Sequence, residues 1–358
     1  MTGGGVYPAL AVLQSLKDKT SEVLWVGSRS GMEESLLAGY DLPYQPISGG
    51  GVHGMSPLAI PKNTIQLLKG WRESKRIIAE FNPDVCFYTG GYIGVPMAFA
   101  SREIPSVVFV PDIEPGLALK LINSRATRIC ISTEKSRDFL PGQARIHVTG
   151  YPLREEITTW TKEKARVKFG ITESEKVLLV YGGSKGAQSI NQAFLNSAST
   201  LLEQLTVIHI TGEANFDHVN RKSESIKYGN YHVFSFLHED IGAAFAAADL
   251  AVCRAGASTL GELPHFGLPA ILVPYPHAWK YQRTNAEYLV TSGGAVMIND
   301  SEIDAAFAKQ VPEMILNGRS LSKMSTNIKK LSTEDAAGAI TRIIQEAAGE
   351  YQEEKTNV

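Results

Sequence analysis

The sequence has little of what marks disulfide-bonded, membrane-spanning or nucleic-acid-binding proteins. Its 358 residues include three cysteines, Cys86, Cys130 and Cys253, which lie far apart and each in or beside an apolar run. We therefore expect buried free thiols rather than disulfides or a metal site. No apolar stretch approaches the ~18 residues of a spanning helix, so any membrane contact should be peripheral. Basic and acidic residues nearly cancel, 35 against 37, which gives no indication of nucleic-acid binding.

The residues that are present follow the pattern of a folded α/β protein. The chain is 44% hydrophobic and 20% charged, as is typical of globular proteins. Short β-branched runs alternate with helical stretches, which predicts parallel β-α units in a doubly wound sheet. The first half has five such runs, at residues 22–27, 84–89, 106–110, 127–131 and 145–150, and its predicted helices include 61–81 and 92–103.

A charged segment at residues 151–176 interrupts this alternation, which restarts at residue 177. We therefore predict two Rossmann-like doubly wound domains, 1–152 and 153–332, that face a cleft. A C-terminal helix over 333–349 should pack back on the first domain. Each domain opens with a glycine cluster, and facing α/β domains with such turns are typical of proteins that bind a nucleotide-like ligand.

The second glycine cluster lies in "VLLVYGGSKGAQSIN" (177–191). An apolar strand runs into Gly182, Gly183 and Gly186, and a helix follows. Glycine lets the backbone approach a phosphate closely, and the helix N-terminus offers N–H groups, with Ser184 as a further donor. The spacing fits neither a P-loop nor GxGxxG, so phosphate binding and a tight packing turn both stay open from spacing alone.

The segment "CRAGASTLGELPHFGLPAILVPYPHAWKYQRTNA" (253–286) combines several polar groups. Residues 256–259 open a helix, which is a second candidate anion site. Glu262 follows within the first turns, where a carboxylate can accept hydrogen bonds from a ribose diol, although a solvated helix glutamate is the alternative. Gln282 and Asn285 share a helix face, and their amides suit either sugar hydroxyls or a polar surface.

Five segments together resemble the MurG family. They are "TGGGVYPALAV", "GGYIGVP", "TGYPLR", "GGSKGAQSIN" and "CRAGASTLGE…GLPAILVPYPHAWKYQRTNA", in the family's order and over nearly the whole chain. The resemblance implies the two-domain glycosyltransferase B fold. It also implies inverting transfer of N-acetylglucosamine (GlcNAc) from UDP-GlcNAc to the C4 hydroxyl of the muramyl sugar of undecaprenyl-linked lipid I. The product is lipid II, an intermediate of peptidoglycan synthesis.

The resemblance further implies a donor site in the second domain. Arg154 and Ser184 would meet the diphosphate, and a backbone group near His238 would read the uracil edge. Glu262 would bind the ribose diol, while Gln282 and Asn285 would contact GlcNAc hydroxyls. The other donor residues are Thr2, Gly3 and Gly4, in the first glycine turn, and Ala257, Ser258, Thr259, Leu260 and Gly261, along the nucleotide and phosphates. No carboxylates have metal-like spacing, so we expect no obligatory metal and no cofactor.

By the same resemblance the first domain would hold the lipid acceptor, with Tyr92 in a third glycine-rich turn. In residues 61–78, Ile65, Leu68 and Trp71 share one helix face, with basic residues around it. Such helices lie on anionic membranes, although a core-packing helix with a charged outer face has the same pattern. The resemblance thus implies a peripheral enzyme at the cytoplasmic face of the bacterial plasma membrane. Proteins of cell-wall synthesis and division would be further partners.

Three positions depart from the family pattern. Gly5 stands where the family motif ends in histidine, a candidate base or acceptor-orienting group. Asp112, in "FVPDIEPG", stands where the family has asparagine, and our hypothesis is that its carboxylate acts as the base or orients the acceptor. A loop-capping aspartate is the alternative. The loop near residues 48–54 contains glycine and arginine in the family, but here it reads "SGGGVHG" and has no arginine. His53 in this loop is a further candidate for acceptor contact.

The first glycine turn stands at the very start of the given sequence, without a strand to lead into it. Because the corresponding strand of a doubly wound sheet is buried, we expect an apolar strand of roughly five to eight residues upstream. Met1 would then occupy a family glycine position.

Three other functions stay open at this point. Another UDP-sugar transferase of the same fold, acting on a different lipid, would share the donor site. A UDP-GlcNAc 2-epimerase has a related fold but needs acid and base residues around the sugar ring, and we find no such set. A non-catalytic paralogue would explain Gly5.

Overall fold

We describe a computed structural model of the chain over residues 3–17, 19–20, 22–29, 33–37, 39–49, 60–142, 145–183, 186–224, 226, 229–276 and 281–356. The chain forms two compact units, one from residues 1–154 with 335–358 and the other from residues 155–334. The predicted boundary was residue 152. The fold class is confirmed, because both units are α/β with parallel strands.

The first unit contains a four-stranded parallel sheet in the order β3-β4-β5-β6 and a separate parallel pair, β1-β2. Its strands are β1 Trp25–Ser28, β2 Tyr44–Ile47, β3 Cys86–Tyr88, β4 Ser106–Val110, β5 Arg128–Ile131 and β6 Ile146–Val148. Its helices are α1 Gly3–Leu16, α2 Glu33–Leu37, α3 Ile60–Phe81, α4 Gly94–Ala100, α5 Leu117–Asn123 and α16 Ala336–Thr356, with a 3-10 turn at Glu134–Phe139.

The core of the first unit lies around β4, whose five residues are all buried. The C-terminal helix α16 packs against α1 and β4, and it is longer than the predicted 333–349. The structure corrects one local prediction, since Gly3 and Gly4 lie in the first turn of α1 rather than in a loop. Val6 and Leu10 explain this, because they form an apolar cluster with Leu37 that holds α1 as a helix from its start.

The second unit has a six-stranded parallel sheet in the order β12-β11-β10-β7-β8-β9. Its strands are β7 Val177–Tyr181, β8 Thr206–Ile210, β9 Tyr231–Phe234, β10 Leu250–Cys253, β11 Ala270–Leu272 and β12 Ala295–Met297. Its helices are α6 Glu155–Thr158, α7 Lys162–Phe169, α8 Gln188–Leu202, α9 Glu213–Ser223, α10 Ile241–Ala247, α11 Thr259–Phe266, α12 Tyr281–Thr291, α13 Ile303–Ala305, α14 Val311–Leu316 and α15 Gly318–Lys329. A 3-10 turn at Asp300–Glu302 and a π-helical turn at Ala306–Gln310 complete the unit.

The order of these strands creates a switch point between β7 and β10. From β7 the chain moves outward through β8 and β9, and it then returns to β10 and moves outward the other way. In open α/β sheets, ligands bind beyond the carboxyl ends of the strands at such a point. The strands on both sides are completely buried, so the loops that follow them rest on a rigid base.

Candidate active site

The turn after β7 brings a helix N-terminus to the switch point. Gly186 has a φ of +72° and lies directly on the end of β8, since a Cβ there would come within 2.2 Å of the Thr211 carbonyl oxygen. A Cβ on Gly182 would come within 2.2 Å of the Ala187 nitrogen, so this turn also excludes a side chain. Ala187 precedes α8 and offers no polar side chain as a cap. The first N–H groups of α8 are therefore available to an anion. Ser184 lies outside the described residues.

A second helix, α11, begins after β10 on the other side of the switch point. The Ser258 hydroxyl donates to Glu262 Oε2 at 2.8 Å, and both side chains are partly buried. The Thr259 hydroxyl donates to the Gly256 carbonyl and fixes the loop. Among the predicted donor residues, Ala257, Ser258 and Glu262 are accessible, whereas Thr259, Leu260 and Gly261 are buried. Contact between these residues and a nucleotide stays a prediction.

The pKa of the neighbouring Tyr181 hydroxyl is raised by burial and by the charge of Glu262. Tyr181 ends β7 and is buried, which raises its pKa well above the ordinary value, and the nearby thiol of Cys253 and carboxylate of Glu262 add to this rise. Burial likewise raises the pKa of Cys253 to about 12. Tyr181 and Cys253 are therefore both neutral near pH 7. Of these three neighbouring side chains, only Glu262 contributes a charge.

The two predicted amides of α12 have different environments. Gln282 Oε1 accepts a hydrogen bond from the Tyr275 N–H at 2.8 Å, which leaves its amide nitrogen as the donor for another partner. Asn285 is fully buried, and its Nδ2 donates to the Ala255 carbonyl at 3.2 Å. Asn285 thus holds the loop between β10 and α11 in place. A direct contact of either amide with a sugar stays a prediction.

Arg254 ties four segments of the donor side together, and its pattern in the sequence gave no indication of this role. Its side chain is 9% exposed and forms an ion pair with Asp300. It also donates to the Ser189 hydroxyl at 2.8 Å and to the Val273 carbonyl at 3.1 Å. Ser189 in turn donates to Asp300 Oδ1 at 2.7 Å. The first turn of α8 is thereby fixed to the ends of β10 and β11.

The contacts of the other predicted donor residues are described within their own units. His238 is exposed, and its ring meets the Phe236 ring edge-on at 4.6 Å. Arg154 belongs to the first unit, where it is 9% exposed and its guanidinium lies 4.7 Å from the Tyr7 ring centre. Thr2 lies outside the described residues.

In the first unit, the acceptor candidates follow the carboxyl ends of neighbouring strands. Tyr92 comes after β3 and Asp112 after β4, and both are partly buried. Because these strands are parallel and adjacent, the two residues follow the same edge of the sheet. Gly5 is buried in the first turn of α1, and His53 lies outside the described residues.

Two of the three apolar side chains predicted to share a face of α3 are exposed. Ile65 is 64% exposed and Leu68 54%, whereas Trp71 is partly buried and carries the Lys75 ammonium 4.3 Å from its ring. Over the described ranges no helix is long and apolar enough to cross a bilayer. Nor does any group of three or more His, Cys, Asp or Glu side chains within those ranges come together as metal ligands would.

Comparison with known proteins gives the family. Residues 2–131 match the glycosyltransferase family 28 N-terminal domain and residues 177–340 its C-terminal domain. The UDP-N-acetylglucosamine–N-acetylmuramyl-(pentapeptide) pyrophosphoryl-undecaprenol N-acetylglucosamine transferase of Halothermothrix orenii is 33% identical over 97% of both chains. The enzyme of the same name from Desulforamulus reducens is 34% identical over 96% of both.

Solved structures agree on the fold. The crystal structure of Acinetobacter baumannii MurG superimposes with a TM-score of 0.74 at 24% identity, over 96% of both chains. A UDP-GlcNAc 2-epimerase from Neisseria meningitidis reaches 0.67 at 14% identity over 97% of both, so the fold by itself does not separate transferase from epimerase. The sequence relatives do separate them, and the chain belongs to the MurG family of glycosyltransferase family 28.

Proposed function

We propose that this enzyme transfers GlcNAc from UDP-GlcNAc to the C4 hydroxyl of the muramyl sugar of lipid I, with inversion, and so forms lipid II. The carrying observation is the 33–34% identity to transferases of that name over nearly the full length. The geometry supports the donor half, because two helix N-termini flank the switch point of the second unit.

Departure of UDP is the step for which these helices are suited. Negative charge grows on the diphosphate as the glycosidic bond breaks, and preorganised N–H donors stabilise it without reorganising during the reaction. We propose that the ribose diol donates to the carboxylate of Glu262, which also accepts from the Ser258 hydroxyl. We propose that no resident metal is needed, so EDTA should leave the rate unchanged. A rate restored only by added Mg²⁺ would contradict this.

Attack by the acceptor hydroxyl requires a proton acceptor. We propose Asp112 for this role, because it follows the buried strand β4 and brings a carboxylate to the same sheet edge as Tyr92. A positioned base contributes roughly 10²–10⁴-fold to such a step.

The lipid substrate places the acceptor at a membrane, and α3 offers a surface for it. Ile65 and Leu68 are exposed beside the basic residues Lys69 and Arg72. On the neighbouring helices α4 and α5, Phe99, Leu117 and Leu121 are exposed as well. We propose peripheral binding to anionic lipid at the cytoplasmic face of the plasma membrane. Proteins of cell-wall synthesis and division stay predicted partners.

Vesicle flotation tests the membrane proposal. Leu68→Glu should abolish binding to vesicles that contain phosphatidylglycerol, because it places a carboxylate where an apolar side chain would enter the bilayer. Val167→Glu is the matched control, since Val167 is 81% exposed but lies on α7 of the other unit. Equal binding by both variants would contradict the assignment of α3.

The activity itself is tested with radiolabelled UDP-GlcNAc and a lipid I analogue. Transfer of label to the acceptor is the expected result. Release of UDP-ManNAc without transfer would instead indicate an epimerase, and absence of any product would indicate a non-catalytic paralogue.

A further inference from the structure

His209 is a buried histidine that the proposed function does not use. It lies in the middle of β8, within the apolar run "LTVIHITG", and its side chain is 0% exposed. Both ring nitrogens form hydrogen bonds, Nδ1 with the Tyr231 hydroxyl at 2.9 Å and Nε2 with Asn191 Oδ1 at 2.9 Å. A polar ring fully satisfied inside an apolar sheet fixes its neighbours in one arrangement.

The direction of every hydrogen bond in this group follows from its last member. Asn191 Nδ2 donates to the Thr211 carbonyl at 2.9 Å, so Asn191 Oδ1 faces the imidazole as an acceptor. His209 must therefore carry its proton on Nε2 and accept the Tyr231 hydroxyl proton on Nδ1. A flipped Asn191 amide would oppose two acceptor oxygens. Burial lowers the pKa of His209 to about 3, so the ring stays neutral in this tautomer.

The chain of bonds ends against the glycine turn. The Thr211 carbonyl that Asn191 holds is the one that leaves room for no Cβ on Gly186. Asn191 itself belongs to the first turn of α8, where its N–H donates to the Ala187 carbonyl at 2.9 Å. The position of the α8 N-terminus relative to the end of β8 is thus set through Asn191.

We propose that Tyr231, His209 and Asn191 form a hydrogen-bonded relay that positions the glycine turn and the α8 N-terminus for the donor diphosphate. The three are positioning residues, since in this proposal they act on the diphosphate through the turn and the helix. The proposal rests on the proposed function for the identity of the ligand. In this proposal the relay affects the affinity for the diphosphate but not the affinity for the nucleoside.

Packing alone makes a different prediction. The His209 ring lies 4.9 Å from the Phe194 ring and stacks with Tyr231 at 6.2 Å, so it also fills core volume. A residue that only filled volume would affect stability without separating one part of the donor from another. Tyr231→Phe keeps the ring and removes only the hydroxyl that donates to His209 Nδ1, which leaves that buried nitrogen without its hydrogen-bond partner.

Calorimetric titration with UDP and with uridine separates the two roles. In Tyr231→Phe and in Asn191→Leu, UDP affinity should fall by about fivefold to tenfold or more, because a mispaired buried group displaces the turn. Uridine affinity should change by less than about twofold, since uridine lacks the phosphates. The matched control is Tyr288→Phe on α12, a partly buried tyrosine outside the relay, which should alter neither affinity.

A spectroscopic measurement reports the relay without any ligand. The ¹⁵N–¹H spectrum of histidine should show His209 as the neutral Nε2–H tautomer from pH 5 to 8, and Tyr231→Phe should perturb that signal. An Nδ1–H tautomer, or equal losses of UDP and uridine affinity, would overturn the relay. UDP binding by Tyr231→Phe at the wild-type level would do so too. Failure of the wild-type protein to bind UDP would instead overturn the proposed function.

Discussion

Replacement of Arg254 by methionine tests how the donor side is held together. Methionine keeps much of the apolar stem but removes the guanidinium. The change breaks the ion pair with Asp300 and the bonds to the Ser189 hydroxyl and the Val273 carbonyl. Ser189 lies in the first turn of α8, Val273 follows β11 and Asp300 begins a 3-10 turn, so the loss should loosen the donor site as well as destabilise the second unit.

The cost can be worked from the burial of the partners. Removal of one member of a fully buried ion pair costs about 3–5 kcal/mol. The Asp300 side chain is 23% exposed and keeps the Ser189 hydroxyl as a donor, so water and that bond recover part of the loss. We therefore expect about 2–3 kcal/mol. For a domain of this size each kcal/mol lowers Tm by about 2–4 °C, which gives a fall of roughly 4–12 °C.

Thermal unfolding followed by circular dichroism measures this, with Arg283→Met as the matched control. Arg283 pairs with Glu287 four residues away, but both side chains are more than half exposed, 60% and 54%. Such surface pairs contribute at most about 0.5 kcal/mol. If Arg254→Met melted within about 1 °C of Arg283→Met, the burial argument would be refuted. The KM for UDP-GlcNAc should rise in Arg254→Met alone.

Two further predictions concern the chemistry of the site, and a third concerns the pH dependence of stability. Glu262→Gln should reduce the preference for UDP over 2′-deoxy-UDP by about tenfold in a binding titration, because the carboxylate is the proposed acceptor for the ribose diol; an unchanged preference would place the diol elsewhere. Asp112→Asn should lower kcat by roughly 10²–10⁴-fold and remove the acidic limb of its pH profile, and near-normal turnover would eliminate Asp112 as the base. Burial lowers the pKa of His209 to about 3. Between about pH 6.5 and 3, His209 is therefore protonated in the unfolded chain but neutral in the folded chain. The free energy of unfolding should decrease as the pH drops through that range. Urea unfolding at pH 7 and pH 4.5 should show a smaller difference for His209→Gln, and an equal difference would contradict the assignment.

The sequence predicted the elements around the donor site well because their signals are local. The run into Gly182 and the helix after Gly186 follow from apolar periodicity and glycine placement within fifteen residues. The same holds for the start of α11, where the Ser258–Glu262 bond joins residues four apart on one helix. A pattern within one element predicts its own shape and its exposed face.

The sequence could not predict partners that lie far along the chain. Asn285 shares a helix face with Gln282, which favoured a common role, yet Asn285 is buried against the carbonyl of Ala255, thirty residues away. Arg254 and Asp300 are forty-six residues apart, and nothing local to either indicates the other. His209 did carry a signal, since a lone histidine inside a buried strand needs partners for both nitrogens. The identity of those partners depends on which strands and helices become neighbours.

Two groups of side chains hold the start of α8, the Arg254–Asp300 ion pair through Ser189 and the neutral His209 through Asn191. The charges around the helix explain why one group is ionic and the other neutral. Asp300 accepts from Ser189 in the first turn of α8, and an unbalanced carboxylate there would repel the diphosphate proposed to bind at that N-terminus. Arg254 cancels this charge, so the helix keeps its attraction for an anion. On the other side, the low pKa of His209 means that its contact with Asn191 adds no charge at neutral pH. Both supports therefore fix the position of the helix without opposing the field on which departure of UDP depends.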